Sequence, residues 1–371
     1  MTVAPAVDVV ATANDVLSMN DHYDTIVIGA GQAGLASAYY LQRARCEFLV
    51  VDGGARIGES WLRRWDSLRL FTPVRYSSLP GLRFPGEPYA LPLKDNVAKY
   101  LQAYAAHFAL PVRLSTRVLS LASDGHRFVV ATDGETLTAR SVIVATGAYH
   151  RPHIPAFADD LSPSLVQIHS SEYRNPDALP PGSVIVVGAG NSGAQIALEL
   201  AESGRATWLS GRDTGSIPRR VLGRDVYDWL WLTVMRPSVD SWVGRKLMGQ
   251  LFAGDPLVGF SRRALRTPRL TIAGRTAGAS NGHPRLDDGR VLDDVRTVIW
   301  CTGFRPDFSW IQLPVFGTEG YPEHRRGIVA AVPGLGFVGL RYQYRIGSSL
   351  IGGVHEDAEF VVRQLTPPVP Q

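Results

Sequence analysis

The chain has 371 residues, 45% hydrophobic and 19% charged, with a net charge of +4. That length suits two interlocked domains, and the composition belongs to a globular chain with a sizeable core rather than a disordered one. No run of eighteen apolar residues occurs, which excludes a membrane-spanning helix. The two cysteines, Cys46 and Cys301, lie too far apart for a Cys-x-x-Cys redox pair or a zinc knuckle, and reduced thiols in a cytoplasmic protein fit them best.

In chain order, residues 1–22 read as a loose tail. Asp8, Asp15 and Asp21 precede the first Lys or Arg, which is Arg43, so no secretory or transit signal is expected. The apolar run Thr25–Ile28 then predicts a buried strand, leading directly into Gly29-Ala30-Gly31-Gln32-Ala33-Gly34 and a helical pattern through Leu41. A second apolar run, Phe48–Val51, ends in Asp52 and Gly53. Each part has a mechanical reason. Gly29 permits a tight turn, Gly31 admits a pyrophosphate to the backbone, and Gly34 lets helix and strand pack closely. The helix N-terminus favours phosphate charge, and Asp52 stands where a carboxylate accepts hydrogen bonds from a ribose.

Ser141–Gly147 is another strand with a small-residue turn at Thr146-Gly147, followed by the proline-bearing stretch Arg151–Pro155. The glycine grammar then returns, with Gly188 standing 159 residues after Gly29. Val184–Val187 leads into Gly188-Ala189-Gly190-Asn191-Ser192-Gly193 and a helix through Ala201. The next strand ends in Ser210-Gly211-Arg212, with no acid. A carboxylate there would repel a 2′-phosphate, whereas a hydroxyl and a guanidinium welcome one. The first site therefore suits FAD and the second NADPH. The pair would pass a hydride only if the two rings met between the domains.

Residues 217–269 carry nine arginines and Lys246 against four aspartates, or +6, leaving −2 for the remainder. Asp228–Leu232 and Ser241–Val243 are aromatic, helix-compatible segments divided by Pro237. Three readings stand: a flap over the junction of the two cofactors, a helical pair packed on the second nucleotide domain, or a patch touching anionic lipid. No nucleic-acid-binding signature accompanies the basic charge. His150 and His153 fall in a proline-rich loop without a third ligand, so no metal site is expected. A serine-hydrolase elbow is absent. Thr297–Gly303 repeats the strand and small-residue turn at Thr302-Gly303.

These segments, with Gly58-Glu59-Ser60-Trp61, Trp65–Leu70 and Gly347–Gly353, give the chain a resemblance to the class B flavoprotein monooxygenases. That superfamily comprises flavin-containing monooxygenases, N-hydroxylases and Baeyer–Villiger enzymes. The chain is most similar to the compact branch labelled as cation-transport-associated flavoproteins. The resemblance implies that Ser60 and Trp61 line the flavin and that Val118 offers backbone to the adenine. It also implies that Ser348, Ser349 and Leu350 open a helix beneath the isoalloxazine; Ser348 or Ser349 is expected to cap the pattern running through Phe360.

The superfamily's fingerprint between the loops is half present. His169 and Tyr173 supply its second part, while Pro163 and Leu165 replace its first, and Pro73 follows Thr72 where N-oxygenating relatives carry Asn. His169 reads as a domain-linker histidine in a satisfied hydrogen bond rather than a base. Arg219 and Arg220 draw notice because Baeyer–Villiger relatives need an arginine from a comparable region. No catalytic side chain is assigned.

The expected fold is α/β, with two doubly wound Rossmann-like domains, the second inserted in the first. The FAD domain is placed at 23–150 and 290–371, and the NADPH domain at 151–289. The resemblance implies oxygenation of a small organic nucleophile (an amine or thioether) through a flavin C4a-(hydro)peroxide, with molecular oxygen as co-substrate. Baeyer–Villiger oxygenation, a flavin oxidoreductase or oxidase, and a redox sensor are the alternatives.

Overall fold

The computed structural model describes residues 22–252, 256–259, 265–317 and 320–366. The expected tail lies outside these residues, except for His22, which opens the first strand. That strand, His22–Ile28, runs parallel between Phe48–Val51 and Thr136–Val144 in a seven-stranded sheet. The long strand Thr136–Val144 has two uses. Its first half supports the antiparallel strands Phe128–Thr132 and Val118–Ser123, and its second half takes Leu335–Phe337 in parallel.

Continuous apolar runs form these strands because both faces are covered. Val27, Val50 and Ile143 pack beneath the helices Gln32–Arg43, Lys94–His107 and Val354–Leu365, whereas Ile26, Leu49 and Val142 fill a second core on the opposite face.

The second sheet has five parallel strands, ordered Leu270–Ala273, Thr207–Ser210, Ser183–Val187, Val295–Trp300 and Val166–His169. This order corrects the expected end of the inserted unit at residue 289. Val295–Trp300 lies between Ser183–Val187 and Val166–His169, with Val298, Ile299 and Trp300 fully buried. A run so apolar is covered on both sides only in a sheet's interior, so the inserted unit extends to about Cys301.

The crossings between sheets are correspondingly short. Both leave from the carboxyl ends of inner strands, at Ala145 and Cys301. They are bound together by the antiparallel pair Arg151–Pro152 and Phe304–Arg305 and by an Arg151–Asp307 ion pair of 2.6 Å. In doubly wound sheets the ligand crevice lies outside these strand ends, so both crevices open towards the same junction.

The helix Val226–Leu232 does not pack on the second nucleotide sheet, which corrects that reading for it. Tyr227 and Trp231 lie against Tyr76 of the first domain, with ring centroids 6.2 and 5.1 Å apart. Asp228 accepts hydrogen bonds from the Tyr76 hydroxyl at 2.5 Å and the Tyr89 hydroxyl at 3.1 Å. The segment is moored to the second domain by the strand pair Ser216–Ile217 and Leu257–Val258. It therefore bridges the two domains. Parts of 217–269 lie outside the described residues.

Candidate functional site

The two glycine turns have the same geometry. Gly29 and Gly188 adopt left-handed φ values of 109° and 112°; a Cβ there would stand 2.7 Å from the Ala145 carbonyl oxygen and 2.3 Å from that of Cys301. A Cβ at Gly34 or Gly193 would come within 1.8 Å of the carbonyl oxygen of Gly29 or Gly188. These four glycines are required by the fold itself. Gly31 and Gly190 differ: a Cβ on either would meet nothing within 4 Å. Open space at the helix N-terminus is what the close approach of a pyrophosphate needs, so both cradles fit a dinucleotide.

The first cradle is braced by Asp52, whose carboxylate accepts from the backbone N–H groups of Ala30 and Gly54, each at 2.7 Å. Each oxygen keeps a lone pair for a ribose hydroxyl. Gly53 packs beside Arg117, immediately before Val118. Gln32 donates to the Ser349 carbonyl at 3.5 Å, which brings the C-terminal segment to the loop, while Ala33 is buried in the helix.

The short helix Glu59–Leu62 carries an exposed Ser60 and a half-buried Trp61. At Thr146 a buried hydroxyl lacks a protein partner, and Gly147 turns with φ of 77°. The C-terminal helix begins at Val354 behind Gly353, so neither Ser348 nor Ser349 caps it. Ser348 instead accepts from the N–H groups of Tyr344 and Arg345 and closes a 3-10 turn over Ile346–Ser349, with Leu350 following. Gly352 and Gly353 let the chain pass against Tyr76 and Gly347 without a continuous helix.

In the second cradle the side chain of Asn191 is already engaged. It accepts from the Val258 N–H at 3.0 Å and donates to the Pro256 carbonyl at 3.4 Å, which moors the bridging segment at the loop. Ser192 is exposed in the helix's first turn. The Ser210 hydroxyl, expected to meet a 2′-phosphate, turns inward; it is fully buried and bonded to Gly274 at 2.8 Å and Thr276 at 2.7 Å. Arg212 does line an open cleft of about 820 Å³. It is joined there by Arg266 and Arg275, which sequence reading did not find because they enter from a strand edge more than fifty residues away. Asp213 and Asp287 share the cleft. The hydroxyl of Thr302 donates to the His153 carbonyl, and the Gly303 carbonyl accepts from His169 Nε2 at 3.0 Å, so both brace the crossing chains.

Two histidines sit at that crossing. His169 Nδ1 accepts from the Ser171 N–H at 3.2 Å, and Nε2 donates to Gly303, which fixes a neutral, fully committed ring. His150 likewise accepts from the Asp307 N–H at 2.7 Å and donates to Thr146 at 3.2 Å. Burial holds both imidazoles below the ordinary histidine range. Among the described residues no group of three metal-ligating side chains occurs.

A clasp sets one domain against the other. Gln195, on the helix Asn191–Glu202, exchanges hydrogen bonds with both backbone groups of Arg69. One turn further on, Glu199 accepts from the Ser67 hydroxyl of the first domain and, at 2.9 Å, from the Tyr173 hydroxyl of its own, and burial raises its carboxyl above the usual range. Arg219 binds Asp225 at 2.7 Å and the Phe71 carbonyl at 2.8 Å, leaving a buried Nη2 without a protein partner; Arg220 points to solvent.

Two dinucleotide cradles facing one junction define a two-nucleotide oxidoreductase. Residues 26–222 match the family described as pyridine nucleotide-disulphide oxidoreductase. The chain is 43% identical to an uncharacterized CzcO-like oxidoreductase of Geobacillus kaustophilus, over 92% of this chain and 98% of that one. It is 33% identical to an indole-3-pyruvate monooxygenase of Oryza sativa subsp. japonica, over 77% and 78%. A flavin-containing monooxygenase from Stenotrophomonas maltophilia superposes with a TM-score of 0.77 at 30% identity, covering 94% of this chain and 99% of that one. The chain belongs to the pyridine nucleotide-disulphide oxidoreductase family and, within it, to the flavin-containing monooxygenase superfamily in its CzcO-like branch. It is an FAD-dependent enzyme of a superfamily that uses FAD and NADPH.

Proposed function

We propose that the protein is an NADPH- and O₂-dependent monooxygenase that oxygenates a small organic nucleophile, an amine or a thioether. The observation that carries this reading is the pair of cradles, each with an open approach at its middle glycine and both at strand ends facing one junction. FAD, when bound, supplies electron acceptance from the nicotinamide and activation of O₂, chemistry beyond the reach of the side chains present.

The chain's own residues bind, orient and enclose. Gly31 and Asp52 hold the adenine dinucleotide of FAD, with Thr146 offering its unpartnered hydroxyl. Gly190 admits the second pyrophosphate, and Arg212 and Arg275 meet a 2′-phosphate that Asp52 would repel in the first site. The Gln195–Arg69 and Glu199–Ser67 contacts keep the two nucleotides in register, a positional requirement of direct transfer. The helix Val226–Leu232 lies against Tyr76 of the first domain while its segment is moored to the second, which supports the flap reading of this segment.

The test is oxygen accounting. The purified holoenzyme is supplied with NADPH, heavy-isotope O₂ and a panel of amines and thioethers. Labelled product formed in step with NADPH use supports the proposal. Stoichiometric hydrogen peroxide with every member of the panel contradicts it and leaves an oxidase.

A further inference from the structure

The bridging segment has an outer face that the proposed chemistry does not use. Its innermost residues, Tyr227 and Trp231, point at the first domain, whereas Trp229 and Leu232 on the same helix are exposed. Beside them the hairpin Arg220–Val221 and Arg224–Asp225 ends in a two-residue turn, Leu222-Gly223, with φ values of 51° and 76°. Asn-Gly is the natural occupant of such a turn, because a branched side chain is strained at positive φ. Here the first position holds leucine, and its side chain is 86% exposed. Neither local conformation nor burial within the chain accounts for that choice.

Trp229 is fixed next to the turn by a 3.1 Å hydrogen bond from its Nε1 to the Val221 carbonyl. The following helix, Trp242–Phe252, begins with Trp242 at 69% exposure and an exposed Val243.

Charge says what would cover these groups. Arg224 lies over the Trp229 ring at 6.0 Å, and Lys246 lies over Trp242 at 5.5 Å. Arg220, Arg236 and Arg245 are exposed along the same segment. Of the aspartates described there, Asp225 is held by Arg219 and Asp228 by Tyr76 and Tyr89, so only Asp240 is exposed. Protruding Trp and Leu, with a cation over each of the two Trp rings, match a bilayer boundary. Indole and leucine enter the acyl edge while guanidinium and ammonium groups remain at the phosphates. An acidic partner with no apolar surface of its own would meet the charge but leave Leu222 and Trp242 unburied.

We infer that this segment docks the enzyme reversibly on an anionic lipid surface, with Leu222 and Trp242 as the inserted groups. The inference is independent of the substrate assigned above.

Its test is co-sedimentation of the FAD-loaded protein with vesicles of phosphatidylglycerol mixed with phosphatidylcholine, against phosphatidylcholine alone. The mixed vesicles should bind the protein at least about tenfold more tightly, and salt should weaken the binding. The double variant Leu222→Asn, Trp242→Ser should lower that partition by about tenfold or more. It should keep its yellow colour and thermal midpoint, since Asn suits the turn better than Leu. Equal binding to both vesicle types, or unchanged partition of a folded double variant, overturns the inference. So does a solution dimer that the same variant dissociates without any vesicle binding, because the face would then be a protein interface.

Discussion

The two glycine loops share a backbone yet differ in what surrounds them. In the first, an acid at the tip of the next strand reaches back and ties the loop, with Asp52 holding Ala30. In the second, that position is Ser210, which is buried, and the rim is furnished by Arg212, Arg266 and Arg275 around an open cleft. The fold thus fixes only the glycine geometry, while strand-tip and edge residues set the charge around each loop.

The largest effect should come from the glycines that both loops need. Gly34→Ala and Gly193→Ala place a Cβ 1.8 Å from a carbonyl oxygen. Each should destabilise by more than about 4 kcal/mol in chemical unfolding, at the severe end for single substitutions. Near-native stability of either would break the packing account.

Gly31→Ala and Gly190→Ala sharpen the contrast, since both should fold normally. Gly31→Ala should lose FAD on gel filtration. Gly190→Ala should stay yellow and raise the KM for NADPH by about tenfold, a cost of about 1.4 kcal/mol. An exchange of these outcomes would reverse the assignment of the sites.

Smaller still is the effect on nucleotide choice. Arg212→Ala and Arg275→Ala should each raise the KM for NADPH by roughly tenfold, as expected for one charged hydrogen bond, and leave that for NADH nearly unchanged. Equal effects on both coenzymes would remove the 2′-phosphate from this cleft.

The smallest concerns the crossing chains. His150 and His169 are held below the ordinary histidine range, so as pH falls the unfolded chain takes up protons first. Their contribution is present above pH of about 6.5 and is lost below it. Glu199, raised by burial, works in the opposite sense at lower pH. The difference in thermal midpoint between the wild type and His169→Asn should therefore shrink from pH 8 to pH 5 (about three units across that titration). A constant difference would show that the ring is not held neutral.

Much of this was legible because glycine spacing and apolar runs are local. Thr25–Gly34 and Val184–Gly193 announce strand, turn and helix within ten residues each. The sheet order was not local. Val295–Trp300 reads as a strand of either domain, and only its pairing with Ser183–Val187 places it in the second. Ser210 shows a related limit of sequence: a strand-tip hydroxyl looks available until Gly274 and Thr276 arrive beside it. Arg275 is not legible in the sequence because it is distant from Arg212, beside which the fold places it in the cleft. The basic segment was visible as composition, but its inward Asp228 and outward Leu222 could be told apart only by their neighbours.

The measurement closest to the central claim is an anaerobic titration of the purified yellow protein with NADPH, followed by visible absorbance. The facing cradles predict that one equivalent bleaches the flavin band completely, and that the Gly190→Ala variant needs a large excess. A band left unchanged by NADPH in the folded wild type would contradict the account, because the two nucleotides would not then share a junction.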